Sequence, residues 1–138
     1  MVTKTAIHAI KALSELAAQS NGEYLGASAI AERIGAPQNY LGKLLQLLSK
    51  EGLVTAQKGY NGGFKLARPP ENISLFDIVE PIENVSRVQN CFLSGNGCSE
   101  DQPCALHFGW SKVRESLLQF LTGTTLKDVM KSGEGRLD

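Results

Sequence analysis

No apolar run in the 138-residue chain approaches the roughly 20 residues a helix needs to cross a bilayer, which excludes a membrane-spanning helix. The opening MVTKTAIHAIKALSELAAQ interrupts its apolar residues with polar ones every third or fourth position and offers no small-residue cleavage site. It reads as neither signal peptide nor anchor, so the chain is expected in the cytoplasm, where thiols stay reduced. Cysteine is scarce, with three residues in all, and none belongs to a closely spaced C-x2-4-C pair of the kind that structural zinc sites use. An odd number in a reducing compartment argues against a disulfide framework. The apparatus of an enzyme is missing too: Cys104 and His107 would make a nucleophile and base, but no third orienting residue, oxyanion site or substrate motif accompanies them. There is no internal repeat and no net charge.

What is present is a globular composition, 42% hydrophobic and 20% charged, in a length that supports one core or one small domain with an appended element. The zero net charge conceals an asymmetry. Residues 1–68 carry eight Lys or Arg against four Asp or Glu, and residues 69–138 carry six against ten. A basic first half on a neutral chain suggests a polyanionic partner for that half.

From Thr3 to Gln19, Ala6, Ile10, Leu13 and Ala17 recur at helical spacing, with Lys4, His8, Lys11, Glu15 and Gln19 as the polar stripe. Ser28 is a good N-cap for a short helix carrying Ile30, Ala31 and Ile34, which Gly35 stops. Pro37 then suits the first position of a helix whose buried face is Leu41, Leu44, Leu45 and Leu48. Two short helices joined by a tight turn have the shape of a helix-turn-helix. Strand-like runs over 53–58 and 63–67 flank GYNGG, whose glycines permit the positive φ of a hairpin, with Lys58 and Lys65 beside its tip. The order helix, turn, helix, hairpin is that of a winged-helix DNA-binding domain. In such a domain Gln38, Asn39, Tyr40 and Lys43 begin the recognition helix, with Gln46 further along the same face, and Lys58, Gly59, Tyr60 and Asn61 form the wing tip. Gly42 marks a close approach, either to DNA or to another helix.

Downstream, Ser74 and Asp77 predict a capping box for a helix that Pro81 bends or shortens. Asp101 is a candidate cap for a long helix on which Leu106, Trp110, Val113, Leu117 and Phe120 form a heptad-like seam suited to a partner subunit. A short helix over 125–130 and a polar tail finish the chain.

The loop between these helices holds every cysteine, in the pattern Cys91-x6-Cys98-x5-Cys104-x2-His107. Three separated thiolates on a Gly- and Ser-rich loop, with a further ligand beside them, can wrap an iron-sulfur cluster; zinc or a disulfide between two of the three thiols is the cluster-free alternative. The order of elements, the segment KGYNGGFKLARPPENISLFDIVEPIE and the trailing cysteine triplet resemble the Rrf-type family of bacterial winged-helix transcription regulators, in particular its IscR-like and NsrR-like cluster-binding members. The resemblance spans roughly residues 1–130.

It implies that Cys91, Cys98 and Cys104 are cluster ligands and that the following helix dimerises. The fourth ligand is either His107, which the i to i+3 spacing would put on the same helical face as Cys104, or His8 of the partner subunit, read here as a solvated residue. His107 is favoured, and with it 2Fe-2S over 4Fe-4S. One departure is the first cysteine gap of six, where the IscR-like pattern has five.

The sequence is thus read as mainly α with a small β-hairpin wing. Its expected parts are a winged helix over 1–83, a cysteine-rich loop over 84–104, a dimerisation helix with a C-terminal helix over 105–130 and a tail over 131–138. The expected function is that of a homodimeric regulator of a double-stranded DNA operator, not an enzyme, its DNA affinity set by a cluster that senses iron, redox state or nitric oxide.

Overall fold

A computed structural model describes residues 3–19, 22–93 and 103–132. In chain order the elements are α1 (Lys4–Ala17), α2 (Ala27–Ile34), α3 (Gln38–Lys50), β1 (Val54–Gln57), β2 (Gly63–Leu66), α4 (Leu75–Glu83), α5 (His107–Gly123) and α6 (Leu126–Ser132). The fold is mainly helical, with one two-stranded antiparallel sheet among the described residues. Helices α1, α2 and α3 and the β1–β2 hairpin form the winged helix.

Helix α1 packs through small residues. Ala6, Ala9 and Ala12 are fully buried beside Leu13 and Leu16, while Ile10 and Ala17 are only half-buried. The buried face is therefore rotated from the one drawn through Ile10 and Ala17, and it takes in His8, which is 9% exposed. The expectation of a solvated His8 is corrected: alanines carry too little hydrophobicity to show which way the helix faces.

Helix α2 begins at Ala27 with Gly26 at the cap, two residues ahead of the Ser28 cap expected from sequence. The reason is tertiary: Leu25 pairs with Phe64 of β2 through both backbone hydrogen bonds, at 2.8 and 2.9 Å, and this fixes where the chain leaves the sheet. Gly35 adopts the left-handed conformation (φ 71°) and donates its N–H to the Ala31 carbonyl, ending α2 as expected. Pro37 occupies the cap of α3 and not its first turn, and Leu41, Leu44, Leu45 and Leu48 are buried beneath it. Removing one such leucine side chain costs about 2–5 kcal/mol.

The hairpin pairs Val54 with Leu66 and Gln57 with Gly63. Gly63 is required twice over: its φ is 136°, and a Cβ there would lie 2.5 Å from the Leu25 carbonyl oxygen. Ser74 and Asp77 form the expected capping box on α4, each accepting the other's backbone N–H at 3.0 Å. Pro81 lies in the last turn of α4, which ends at Glu83. Helix α5 starts at His107, later than a cap at residue 101 would put it; residue 101 itself is outside the described residues. The C-terminal end returns to the core through Leu121 and Leu126, and Leu126 donates its N–H to the Ile73 carbonyl at 2.8 Å.

Candidate DNA interface and cysteine site

The first turn of α3 projects Gln38 and Asn39 into solvent, and Lys43 and Gln46 continue the same exposed face. The leucines opposite them are buried, so the direction in which these polar side chains point is set by the core. A Cβ on Gly42 would meet nothing within 4 Å, so no neighbouring helix among the described residues accounts for glycine there. Tyr40 differs from its neighbours. It is half-buried against the core, its hydroxyl is 3.4 Å from His8 Nδ1, and the two rings meet edge-on with centroids 5.5 Å apart. His8 is thereby joined to the start of α3. Burial foremost, then the positive charges of Lys4 and Lys11, hold its pKa below the ordinary 6.5.

At the wing, Lys58, Gly59, Tyr60 and Asn61 are exposed, Tyr60 almost completely at 96%. Asn61 takes a left-handed φ of 62°, which its short polar side chain tolerates, and this turn carries the Tyr60 ring outward. Lys65 is set back from the tip, its ammonium 4.8 Å from the centre of the Tyr24 ring.

Ahead of α5 the chain brings Cys91 and Cys104 together, with their sulfur atoms 3.4 Å apart. Cys98 lies outside the described residues. Cys104 precedes α5 and does not sit on it, which corrects the shared helical face assumed for Cys104 and His107. The two are linked instead by a turn, in which the His107 N–H donates to the Cys104 carbonyl at 3.1 Å. The His107 side chain is buried, 4% exposed, with its ring edge-on to Phe108.

Two thiolates on one tetrahedral metal ion, each at about 2.3 Å, stand roughly 3.8 Å apart. The observed 3.4 Å is close to that separation, so Cys91 and Cys104 fit a shared iron. Among the described residues no group of three or more Cys, His, Asp or Glu is gathered, so this fit extends to the cysteine pair.

Three contacts that the sequence did not disclose hold the Cys91 side of this pair. The Trp110 indole N–H donates to the Asn90 carbonyl at 3.0 Å, Arg114 Nη1 donates to the Gln89 carbonyl at 3.4 Å, and the Phe92 ring meets Trp110 edge-on at 5.3 Å. The acceptors are backbone oxygens, which carry no signature in a sequence; the indole and guanidinium donors were the only legible half.

Helix α5 places just His107 and Leu121 among the buried residues, and Leu117 packs half-buried on the core. Leu106, Val113 and Phe120 of the seam are 44%, 51% and 57% exposed. No helix among the described residues is long and apolar enough to cross a membrane.

A family model described as Rrf2, iron-dependent transcriptional regulator, matches residues 2–132. A protein of Aquifex aeolicus assigned as an HTH-type transcriptional regulator is 37% identical over 103 residues, covering 73% of this chain and 72% of its own. Among solved structures, T. potens IscR superposes with a TM-score of 0.76 at 29% identity, over 97% of this chain and 88% of that one. CymR of B. subtilis, described as the global cysteine regulator, superposes with a TM-score of 0.79 over 97% and 98%; at 24% identity that likeness is one of fold.

Proposed function

The chain belongs to the Rrf2 family of transcriptional regulators, which are DNA-binding proteins and not enzymes, and from that premise we propose that it acts as a cytoplasmic homodimer whose operator affinity is set at the cysteine site. The parts we assign are a winged helix over 1–83, a sensing loop over 84–104, and a dimerisation helix with a C-terminal helix from residue 105 that runs to Ser132, two residues into the tail expected over 131–138. Gln38, Asn39 and Lys43, with Tyr40 in the same turn, address the major groove, and Lys58, Gly59, Tyr60 and Asn61 reach the neighbouring backbone or minor groove. Two such helices related by a two-fold axis read half-sites about 34 Å apart.

The sensing reading is carried by one observation, the 3.4 Å approach of Cys91 to Cys104 immediately before α5. Cys91, Cys98, Cys104 and His107 would hold an iron-sulfur cluster, 2Fe-2S in preference to 4Fe-4S, with His8 of the partner subunit as the other candidate fourth ligand. When bound, the cluster supplies a centre that responds to iron supply, oxidant or nitric oxide. The chain's part is to turn that response into movement. Cys104 is tied by its carbonyl to the first residue of α5, so a change in where its sulfur is held changes how α5 starts. Because α5 sets the relation between the two winged helices, a differential stability of a few kcal/mol between two poses is enough to switch DNA affinity.

The same distance supports a second reading, a cluster-free thiol sensor. Sulfurs at 3.4 Å need to close only to about 2.05 Å to form a disulfide, the two electrons and two thiol protons passing to an oxidant such as glutathione disulfide. Anaerobic purification followed by absorption spectroscopy and native mass spectrometry separates the two. A brown dimer with the mass of one 2Fe-2S cluster per subunit supports the first reading. A colourless dimer of bare mass, refractory to iron and sulfide, rejects it in favour of the second. A His107→Ala variant that keeps the wild-type spectrum counts against His107 as the fourth ligand and leaves His8 of the partner subunit as the candidate.

A further inference from the structure

We propose that Trp110 and Arg114 are positioning residues of the cysteine site: from two successive turns of α5 they hold the backbone just before Cys91, and so keep its thiol beside that of Cys104. The proposal rests on the reading of Cys91 and Cys104 as the sensing pair. Without restraint, two thiols thirteen positions apart meet only as often as a short flexible loop allows, an effective concentration on the order of millimolar. The chain does not leave Cys91 unrestrained. Its two preceding carbonyls, Gln89 and Asn90, accept from Arg114 and Trp110 at 3.4 and 3.0 Å, and the next residue, Phe92, lies against the Trp110 ring.

Arg114 is itself steadied by Ser111, whose Oγ accepts from Nη2 at 3.3 Å. Cys104 is fixed from the same helix by the His107 N–H. Both sulfurs are therefore referenced to the first two turns of α5, one through side-chain donors and the other through the backbone. A rotation or shift of α5 carries Trp110 and Arg114 with it and draws the Cys91 segment away from Cys104. Conversely, anything that pulls the two sulfurs together or pushes them apart loads the helix at residues 110 and 114. The site and α5 are in this way coupled through two named side chains that are not themselves ligands.

The coupling is measured on the cluster-free, full-length protein in a Cys98→Ser background, so that only Cys91 and Cys104 can pair. Equilibration with glutathione buffers follows one balanced exchange: the protein dithiol and one glutathione disulfide give the Cys91–Cys104 disulfide and two reduced glutathiones, with both thiol protons ending on the glutathiones. The ratio at equilibrium is the effective concentration of the pair. Trp110→Phe keeps the ring and removes the donor, and is expected to lower that ratio by about three- to tenfold, the worth of one neutral hydrogen bond. Arg114→Met is expected to lower it by about two- to fivefold, a small effect for a charged donor because the contact is long, at 3.4 Å, and exposed, with Arg114→Lys, which keeps a donor, recovering part of the loss. The exposed Lys112→Ala on the same helix is the control and leaves the ratio unchanged.

A ratio in Trp110→Phe equal to that of the parent, at an unchanged thermal midpoint, overturns the proposal whatever the colour of the anaerobic protein. A reduced ratio sustains it even if no cluster is ever found, because the measurement contains no metal.

Discussion

His8 stands where α1 meets the first turn of α3, and its environment makes a pH prediction with a definite sign. Burial and the charges of Lys4 and Lys11 disfavour its protonated form, and the group facing it from α3 is the phenol of Tyr40. The folded protein therefore binds a proton at His8 less readily than the unfolded chain does. Stability from this residue is intact above the ordinary pKa of 6.5 and declines as pH falls below it toward the lowered folded value. Urea unfolding at pH 7.5 and 5.5 should show a larger loss for the wild type than for His8→Gln; identical losses would mean that His8 titrates alike in both states. The partner hydroxyl gives a second expectation. At 3.4 Å the contact with Tyr40 is long, so Tyr40→Phe should cost under about 1 kcal/mol of stability. Its effect should appear in DNA binding instead, as a lower ratio of operator to non-specific affinity, since the turn bearing Gln38 and Asn39 loses a restraint.

At the scale of elements, the wing is the most exacting. Gly63→Ala adds a Cβ 2.5 Å from the Leu25 carbonyl oxygen at a φ of 136°, and should destabilise by about 1–3 kcal/mol while breaking the Leu25–Phe64 pairing. Hydrogen exchange at the Leu25 and Phe64 amides reads that loss directly; continued protection of both would contradict it. This same glycine pair made the hairpin legible in the sequence, because few local arrangements ask for Gly62 and Gly63 in succession. The leucine spacing of α3 was legible for a similar reason, since Leu41, Leu44, Leu45 and Leu48 define one face without ambiguity. Where the reading failed, the deciding contact lay far off in the chain. The α2 cap moved to Gly26 because of a bridge to Phe64, and the alanines of α1 left its orientation open until the rest of the core was known. At the cysteine site the spacing pointed to three thiols around one centre, and of these Cys91 and Cys104 are seen to meet. It said nothing of Trp110 and Arg114, which act on carbonyl oxygens that every residue possesses.

For the whole molecule, the exposed stripe of α5 and the charge of the first half belong to one question: whether two recognition helices act as a unit. Val113 and Phe120 are more than half exposed in a single chain, at 51% and 57%, so charges placed there should cost the isolated subunit little. Paired across a two-fold axis, the same charges would be buried against their own copies and repel. Val113→Glu combined with Phe120→Glu should therefore give a folded monomer by light scattering, with a circular dichroism spectrum like that of the parent. Its affinity for a full operator should fall by about 10²–10⁴, the loss of one tethered half-site, while affinity for an isolated half-site stays the same. Salt then separates geometry from charge. Each phosphate contact contributes a slope of about −0.9 to the dependence of log affinity on log salt, so Lys58→Ala should flatten the slope by about one per subunit. The glutamate pair removes no basic residue from the DNA-facing half and should leave the half-site slope unaltered. If the double variant remains a dimer, the seam of α5 is not the interface, and the route from the cysteine pair to the DNA face has to run through some other surface of the chain.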